Sequence, residues 1–485
     1  MLFNSLAFAV FLPIVFFLYW ALPNKYRPIW ILIASYYFYM SWNVKYVVLI
    51  LFTTVISYGC AILMQKWKKK KTVLLCGTLI ASLGVLFFFK YFNFFSISAA
   101  NVLSRFAIQV HPVTLSLMLP VGISFYTFQT LSYVIDVYRG DVEAEKNFIT
   151  YAAFISFFPQ LVAGPIERTK NLFPQIKGEH RFDKEQVTYG LLLMAWGFFK
   201  KLVVADNLAI YADQIFDDVH YYGGFSMLMA ALFFTFQIYC DFSGYSDIAI
   251  GCAKLFDIRL MTNFRSPYFA ISIKDFWSRW HISLSTWFRD YVYIPLGGNR
   301  VNKVHNAFNL MVTFLVSGLW HGAAWHFVVW GGLHGALQVL ENCFPFMKKL
   351  TRRAKENPES LRGPLIWFCR MVTFVTAMLA WVFFRAGSVS DACYVLLHMW
   401  DGISSPVSYV TRGLTDFGMG VSDVLSLAIP FLILVAYDYI ALREDPIAKL
   451  RRLKKPVRWV IYYGFIFLVL MFASFNAQEF VYFQF

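Results

Sequence analysis

Three histidines lie close together in one apolar, glycine-rich stretch, SGLWHGAAWHFVVWGGLHG (residues 317–335). Ionisable side chains within a membrane are costly and rare, so they are candidates for function. Imidazole titrates near neutral pH and can take a proton from a hydroxyl group as a general base. His321 is the first candidate, because Gly322 would let a ligand approach the adjacent backbone closely. A histidine that only hydrogen-bonds between helices is the alternative.

Three other histidines lie in apolar or aromatic surroundings, as His321 does. His326 lies five residues further along, about 140° around a helix, so it need not share a face with His321. We expect His326 and His334 to be packing histidines. His281 belongs to an Arg279-Trp280-His281 cluster, where an interfacial histidine in an aromatic belt is the alternative to a functional one.

Two carboxylates occur in a second apolar stretch, QIYCDFSGYSDIAIG (residues 237–251). A carboxylate within a span must pair or face a cavity. We therefore predict structural ion pairs for Asp241 and Asp247, with Arg279 and Arg289 as the plausible partners.

The sequence lacks the motifs of several common reaction types. We find no P-loop, no GxGxxG at a strand–helix junction and no GxSxG elbow. No HxxxxD follows His281 or His321, and the seven cysteines form no CxxC pair, so a metal site is not expected. What remains is a lone buried imidazole that could deprotonate a hydroxyl for attack on an activated acyl group.

The composition is that of a membrane protein. Of 485 residues, 59% are hydrophobic and 15% are charged, whereas soluble domains carry about 25% charged residues. Apolar runs of spanning length recur along the chain, which predicts an all-α polytopic protein forming one membrane-embedded domain over residues 1–485. The apolar N-terminus lacks a basic region and a cleavage site, so we expect a first span and not a signal peptide.

The net charge of +15 is concentrated in three basic segments. Nucleic-acid binding is one reading of such clusters, but the positive-inside rule accounts for them and places them in the cytoplasm, where they can also touch anionic lipid. Both termini are then extracytoplasmic. The basic segments are WKKKK (67–71), KKLTRRAK (348–355) and REDPIAKLRRLKKPVR (443–458).

About eleven or twelve spans plus re-entrant segments are predicted. Residues 154–165 are interrupted by Pro159, Gly164 and Pro165 and are expected to be re-entrant. Residues 306–340 would form a helix of about 50 Å, longer than a hydrocarbon core of about 30 Å, so a fold-back near Gly322–Ala324 is preferred to one tilted helix. The ten other spans are 4–23, 28–42, 45–65, 72–92, 114–137, 187–206, 225–254, 365–385, 426–441 and 458–475.

One segment fits no lipid-facing span. FWSRWHISLSTWFRDYVYIPLGGNR (276–300) mixes aromatic and charged residues and ends in a Gly-Gly turn. We expect it at the cytoplasmic face or dipping in from it, surrounded by protein or water.

This segment, GLWHG at 318–322 and QIYCDFSGYSDIAIG together resemble the membrane-bound O-acyltransferases, specifically the bacterial alginate O-acetyltransferase branch. LPVGISFYTFQTLSYVIDVYRG (119–140) and FFPQLVAGPIER (157–168) extend the likeness over nearly the whole chain. The resemblance implies a multi-helix bundle around a funnel or tunnel in a bacterial plasma membrane.

The resemblance also implies roles for two histidines. The family's most characteristic histidine matches His321, expected to be the general base, and its second matches His281, expected to orient or assist. We expect Arg279, Trp280, Trp320 and Arg289 to contact substrate. No permanently bound cofactor and no metal is expected. The donor is acetyl-CoA or an acyl carrier protein thioester on the cytoplasmic side, where basic loops attract phosphate groups.

The acceptor implied by the resemblance is an extracellular polysaccharide. An extracytoplasmic serine-esterase-like acetyltransferase is expected to complete delivery. D-alanyl transfer to teichoic acid from a carrier protein is the alternative within the family. A transporter is the alternative from another class, although the internal repeats common in transporters are not found.

The aromatic C-terminal tail, residues 476–485, carries one more candidate. Four aromatic residues lie in the last six positions, which an interfacial anchor would explain. A similar motif in related D-alanine-transferring systems implies instead that Tyr482 accepts the acyl group. The seven residues from Phe475 to Tyr482 span at most about 23 Å, enough to reach the midplane, and a phenol of pKa about 10 is a better leaving group than an alkyl alcohol.

Overall fold

The computed structural model describes residues 1–162, 164–356, 363–474 and 480–481. Every regular element within these residues is a helix, which confirms the all-α prediction. Contacts between residues divide the chain into two compact units, Met1–Met194 with Ser246–Met261, and Ala195–Tyr245 with Thr262–Phe485. The single acyltransferase domain predicted above stays a prediction.

The first unit is built from ten helices, the last of which continues beyond Met194. Three 3-10 turns (Asn24–Tyr26, Val44–Tyr46 and Lys68–Lys70) and one π-helical segment (Phe87–Tyr91) lie between them. The helices are α1 (Leu6–Ala21), α2 (Arg27–Met40), α3 (Val47–Lys66), α4 (Lys71–Leu86), α5 (Phe92–Arg105), α6 (Ile123–Arg139), α7 (Phe148–Ser156), α8 (Phe158–Leu161), α9 (Thr169–Lys177) and α10 (Lys184–Phe198).

The second unit contains the remaining helices, although the last turns of α12 belong to the first. A 3-10 turn (Pro267–Phe269) and two π-helical segments (Phe199–Ala205 and Arg289–Tyr293) accompany them. The helices are α11 (Asp206–Phe216), α12 (Phe225–Leu255), α13 (Ile273–Arg279), α14 (Ile282–Phe288), α15 (Lys303–His321), α16 (Trp325–Cys343), α17 (Pro345–Glu356), α18 (Pro364–Arg385), α19 (Val389–His398), α20 (Pro406–Asp416), α21 (Val421–Ala441), α22 (Pro446–Arg452) and α23 (Lys455–Phe472).

Seven helical stretches in the described part of the chain are long and apolar enough to cross a membrane, which makes this a multi-pass membrane protein. They are fewer than the eleven or twelve spans predicted. The 16 residues of α1 rise only about 24 Å, and α6 begins at Ile123 rather than near 114 because Pro120 and a left-handed Gly122 precede it. The seven stretches are Val44–Lys66, Lys68–Ser104, Lys184–Phe216, Phe225–Leu255, Pro364–Arg385, Val421–Ala441 and Lys455–Phe472.

The predicted fold-back between residues 306 and 340 is confirmed. Helix α15 ends at His321, and α16 begins at Trp325. The two helices pack closely because glycines face each other's backbone: a Cβ atom on Gly318 would collide with the carbonyl oxygen of Phe327, and one on Gly331 with that of Phe314. The α15–α16 hairpin therefore fixes where its last turn, with His321, lies.

The predicted interruption in residues 154–165 is also present, since α7 ends at Ser156 and the short α8 follows. The nearby Glu167 is fully buried in the first unit. Its carboxylate accepts the backbone N–H of Met261 and the side-chain amide of Asn171. Burial raises the pKa of Glu167 from 4.5 to about 7, because an ionised carboxylate loses hydration there.

Candidate functional site

His281 lies at the junction of two short helices, α13 and α14, which determines its position. Ser272 caps α13 by accepting the N–H of Asp275 at 3.0 Å. After α13 the chain passes through extended Trp280 to His281, which has a left-handed backbone with φ +43°. The next amide, of Ile282, donates to the carbonyl of Asn263 at 2.9 Å. This sharp reversal, uncommon for a residue other than glycine, fixes the imidazole inside the second unit.

His281 and His321 lie side by side. Their ring centroids are 6.3 Å apart, and their exposed fractions are 0% and 3%. His281 lies outside the seven candidate spans, and burial lowers its pKa well below the usual value, because the cation would lose its hydration. Near neutral pH the ring of His281 is therefore uncharged.

Aromatic rings surround His321. Its centroid lies 4.9 Å from that of Trp320, 5.1 Å from that of Trp330 and 5.4 Å from that of Phe384. The space beside Gly322 is filled by the ring of Phe327, so the prediction that a ligand approaches the backbone there is wrong.

The residues predicted to contact substrate lie in different environments. Trp320 contacts both histidines, with its centroid 6.1 Å from that of His281. Trp280 is fully buried and stacks on Phe276 at 5.5 Å, as a core residue does. Arg279 is bonded to Asp275 at 2.9 Å. Substrate binding by these three residues and by Arg289 stays a prediction.

His326 and His334 each have a partner suited to packing. The Nδ1 atom of His326 lies 2.9 Å from the carbonyl oxygen of Phe383. The indole N–H of Trp277 donates to Nδ1 of His334 at 3.2 Å. Both histidines thus join α16 to neighbouring helices.

Asp241 forms an ion pair, but its partner differs from the one predicted. Lys201 Nζ lies 2.7 Å from Asp241 Oδ1 and 2.8 Å from Asp206 Oδ1. The predicted arginine partners bind their own neighbours in sequence instead: Arg279 pairs with Asp275, and Arg289 with Asp290. Neighbouring acids satisfy those arginines locally, whereas the lysine is buried against α12. Asp247 is half-buried on the same helix.

A cavity of about 1150 Å³ opens in the second unit between α13, α14, α15 and α16. Its walls are largely apolar, with Leu284, Leu310 and Phe314 among the lining residues. Four cations and no acid line it among the described residues, which suits an anionic ligand with an apolar part. The cations are Lys274, Arg289, Lys303 and Lys348.

The cavity extends towards His321 without including it. Ser317 lines the cavity and lies four residues before His321 on α15, a rise of about 6 Å. A group bound with its polar end at the cations and its other end at Ser317 would thus point towards the imidazole.

Sequence reasoning missed Lys201 and Asp206, which complete the ion cluster, and two lysines of the cavity, Lys274 and Lys303. Lys200 and Lys201 form a charged pair inside an apolar run, so intramembrane charge was a signal that could have identified them. Lys274 and Lys303 carried no such signal, because they are apart in sequence, whereas Lys348 lies in the basic segment 348–355. Tyr482 lies outside the described residues.

Comparison with known proteins places this site in a family. A family model of membrane-bound O-acyltransferases matches residues 31–383, a range that includes His281 and His321. The chain is 38% identical over 453 residues to a "Probable alginate O-acetylase" of Azotobacter vinelandii, with 91% of this chain and 84% of that protein covered.

Two further relatives show the breadth of the likeness. The chain is 37% identical over 460 residues to a peptidoglycan O-acetyltransferase of Helicobacter pylori, covering 87% of this chain and 84% of that protein. It is 29% identical over 321 residues to a teichoic acid D-alanyltransferase of Bacillus subtilis, covering 61% and 74%. The likeness to the D-alanyltransferase is thus lower in identity and in coverage of this chain.

Proposed function

Because the chain belongs to the membrane-bound O-acyltransferase family, and is thus an O-acyltransferase, we propose that it transfers acetyl groups from a cytoplasmic thioester for O-acetylation of an extracellular polysaccharide. The observation that carries this proposal is that a cation-lined cavity ends one helical turn from the buried His321. The names of the relatives in Azotobacter vinelandii and Helicobacter pylori support acetyl as the group and a glycan as the acceptor.

The donor enters the cavity. The cations at Lys274, Arg289, Lys303 and Lys348 bind the phosphates of acetyl-CoA, and the apolar wall holds the pantetheine arm with its thioester towards Ser317. Because the basic segment 348–355 is cytoplasmic by the positive-inside rule, the cavity opens to the cytoplasm. The protein then lies in a bacterial plasma membrane with both termini outside.

His321 acts as the general base. A hydroxyl oxygen attacks the thioester carbonyl while the imidazole takes the hydroxyl proton, and a new C–O bond forms. The C–S bond then breaks, and the thiolate leaves and recovers the proton. The neutral His281 and Trp320, beside this ring, orient it.

The first acceptor is the hydroxyl of Tyr482, and the acetyl group passes from the phenol ester to its final acceptor. The phenol ester has a better leaving group than a sugar ester, so onward transfer needs no further energy source outside the membrane. A serine-esterase-like acetyltransferase outside the membrane takes the acetyl group and delivers it to the polysaccharide.

Purified full-length protein with labelled acetyl-CoA tests this function. We expect release of free CoA and one acetyl group on the C-terminal peptide, seen by mass spectrometry. His321→Ala should lower both by at least about a hundredfold, the usual range for loss of a general base, while the matched control His326→Ala keeps them. A wild-type rate in a folded His321→Ala protein would refute the assignment.

A second assay separates the two possible donors. If the enzyme accepts acyl groups from a small acidic carrier protein and not from acetyl-CoA, the donor assignment is wrong. If the transferred group is D-alanine, D-alanyl transfer to teichoic acid is the correct function. An acetylated wild-type enzyme without label at Tyr482 would remove the relay but leave acetyl transfer standing.

A further inference from the structure

The described part of the C-terminal tail, residues 480–481, contacts a buried ion cluster in the second unit. The backbone N–H of Val481 donates to Oδ2 of Asp241 at 2.7 Å, while Oδ1 of the same carboxylate lies 2.7 Å from Lys201 Nζ. Asp241 is 1% exposed. One carboxylate therefore joins the membrane-spanning part of the chain to its end.

The acids of this cluster share one cation. Lys201 faces two carboxylates, those of Asp206 and Asp241, so neither acid has the lysine to itself. A buried carboxylate requires donors for its remaining lone pairs. The amide of Val481 supplies one to Asp241, so tail docking and the stability of the cluster depend on each other.

Aromatic packing extends this attachment to the histidines. Phe480 is fully buried, and its ring centroid lies 4.5 Å from that of Tyr245 and 5.7 Å from that of Phe242. On its other side, Phe242 meets His281 edge-on at 4.5 Å. A single ring thus separates the described end of the tail from the histidine pair.

We propose that Asp241 is a positioning residue that fixes the C-terminal segment beside the histidine pair through the Val481 amide. Lys201 orients this carboxylate, from a π-helical segment (Phe199–Ala205) of the kind often found at functional sites. The anchor itself is independent of the reaction, but its effect on rate rests on the proposed acetyl transfer, because Tyr482 directly follows Val481 in the sequence.

Chymotrypsin cleavage after Phe480 measures the anchor without any assay of activity. Asp241→Ala removes the acceptor of the Val481 amide, and we expect cleavage in detergent to be at least about tenfold faster, as loss of one charge-assisted hydrogen bond allows. Asp206→Ala is the matched control, since it takes the other carboxylate from Lys201 and leaves the Val481 bond in place. Equal cleavage of both variants would overturn the anchor.

Substitution of the donor leaves every side chain of the ion cluster in place. Val481→Pro removes the N–H and suits the 3-10 backbone of this residue, whereas Val481→Ala keeps it. We expect the proline variant to lower the rate of acetyl transfer at least about tenfold, with the KM for the donor unchanged, and the alanine variant to match wild type.

The two proposals fail separately. Faster cleavage in Asp241→Ala with wild-type transfer by Val481→Pro would overturn the positioning role. If the wild-type enzyme transfers no acetyl group at all, the proposed function fails, and the cleavage rates alone still judge the anchor.

Discussion

The imidazole rings of His281 and His321 lie 6.3 Å apart, one at the junction of α13 and α14 and the other at the end of α15. Forty residues separate them in the sequence, and two different backbone devices bring them together: a left-handed residue and a glycine-packed hairpin. Each device can be tested on its own, because each has a pair of substitutions of which only one disturbs it.

At His281, substitution by asparagine or by valine distinguishes the contribution of the imidazole from that of the left-handed backbone. Asparagine tolerates the left-handed conformation, so the free energy of unfolding of His281→Asn should lie within about 1 kcal/mol of wild type. Valine is β-branched, so His281→Val should lower the free energy of unfolding by about 1–2 kcal/mol more. Acetyl transfer should fall about tenfold or more in the asparagine variant, because the orienting ring is gone. Thermal unfolding in detergent and the transfer rate check this prediction, which a fully active His281→Asn protein would contradict.

For the α15–α16 hairpin, two adjacent glycines form a matched pair. A methyl group at Gly331 would collide with the carbonyl of Phe314, so Gly331→Ala should cost about 1–3 kcal/mol of unfolding free energy and displace His321. At Gly332 the nearest atom is Leu315 Cδ2 at 3.4 Å, so Gly332→Ala should be neutral or slightly stabilising. Thermal unfolding and transfer rates of both variants measure the difference, and similar losses would argue against close helix packing.

The cations of the cavity should act on donor binding and not on chemistry. Lys303→Gln or Lys348→Gln should raise the KM for acetyl-CoA about two- to fivefold, the effect of one exposed charge pair, and leave kcat unchanged. Added salt should reduce the difference between variant and wild type by screening. Lys449→Gln, on a basic segment away from the cavity, is the control. An equal effect of Lys449→Gln would show general attraction instead of a binding site.

Glu167 should make stability depend on pH. Its carboxyl has a pKa of about 7 in the folded chain against 4.5 ordinarily, so the unfolded chain releases its proton first as pH rises. The resulting loss in the free energy of unfolding is absent below pH 4.5 and grows between pH 4.5 and 7. Above pH 7 it levels off at about 3 kcal/mol. Glu167→Gln cannot ionise and should flatten the change in thermal midpoint between pH 5 and 8. Parallel wild-type and variant curves would exclude this group as the source.

The sequence was sufficient where one local property decides the outcome. The fold-back at Gly322–Ala324 followed from comparing the length of residues 306–340 with the thickness of a membrane, and the structure has it. His321 is a candidate because imidazoles are rare in apolar stretches, and His281 is one because of the resemblance to the O-acyltransferases; the structure places them together.

Sequence reasoning failed where partners distant in the chain decide the outcome. Arg279 and Arg289 were chosen as partners for the carboxylates of α12, but local acids bind them, and Lys201 takes Asp241. Gly322 was read as an opening for a ligand, yet Phe327 fills that space. Apolar composition also does not reveal where a helix ends, as at α1 and α6, so the total number of spans stays a prediction.

Different parts of the α15–α16 hairpin determine the shape of the cavity and the position of His321. Leu310 lines the cavity eleven residues before His321 on α15, about 16 Å along the helix axis, while backbone contacts at Gly318 and Gly331 hold the last turn. The cavity wall can thus be widened or narrowed at Leu310 without moving the imidazole. Selectivity for the carrier arm of the donor can therefore evolve, or be engineered, while the chemical step stays the same.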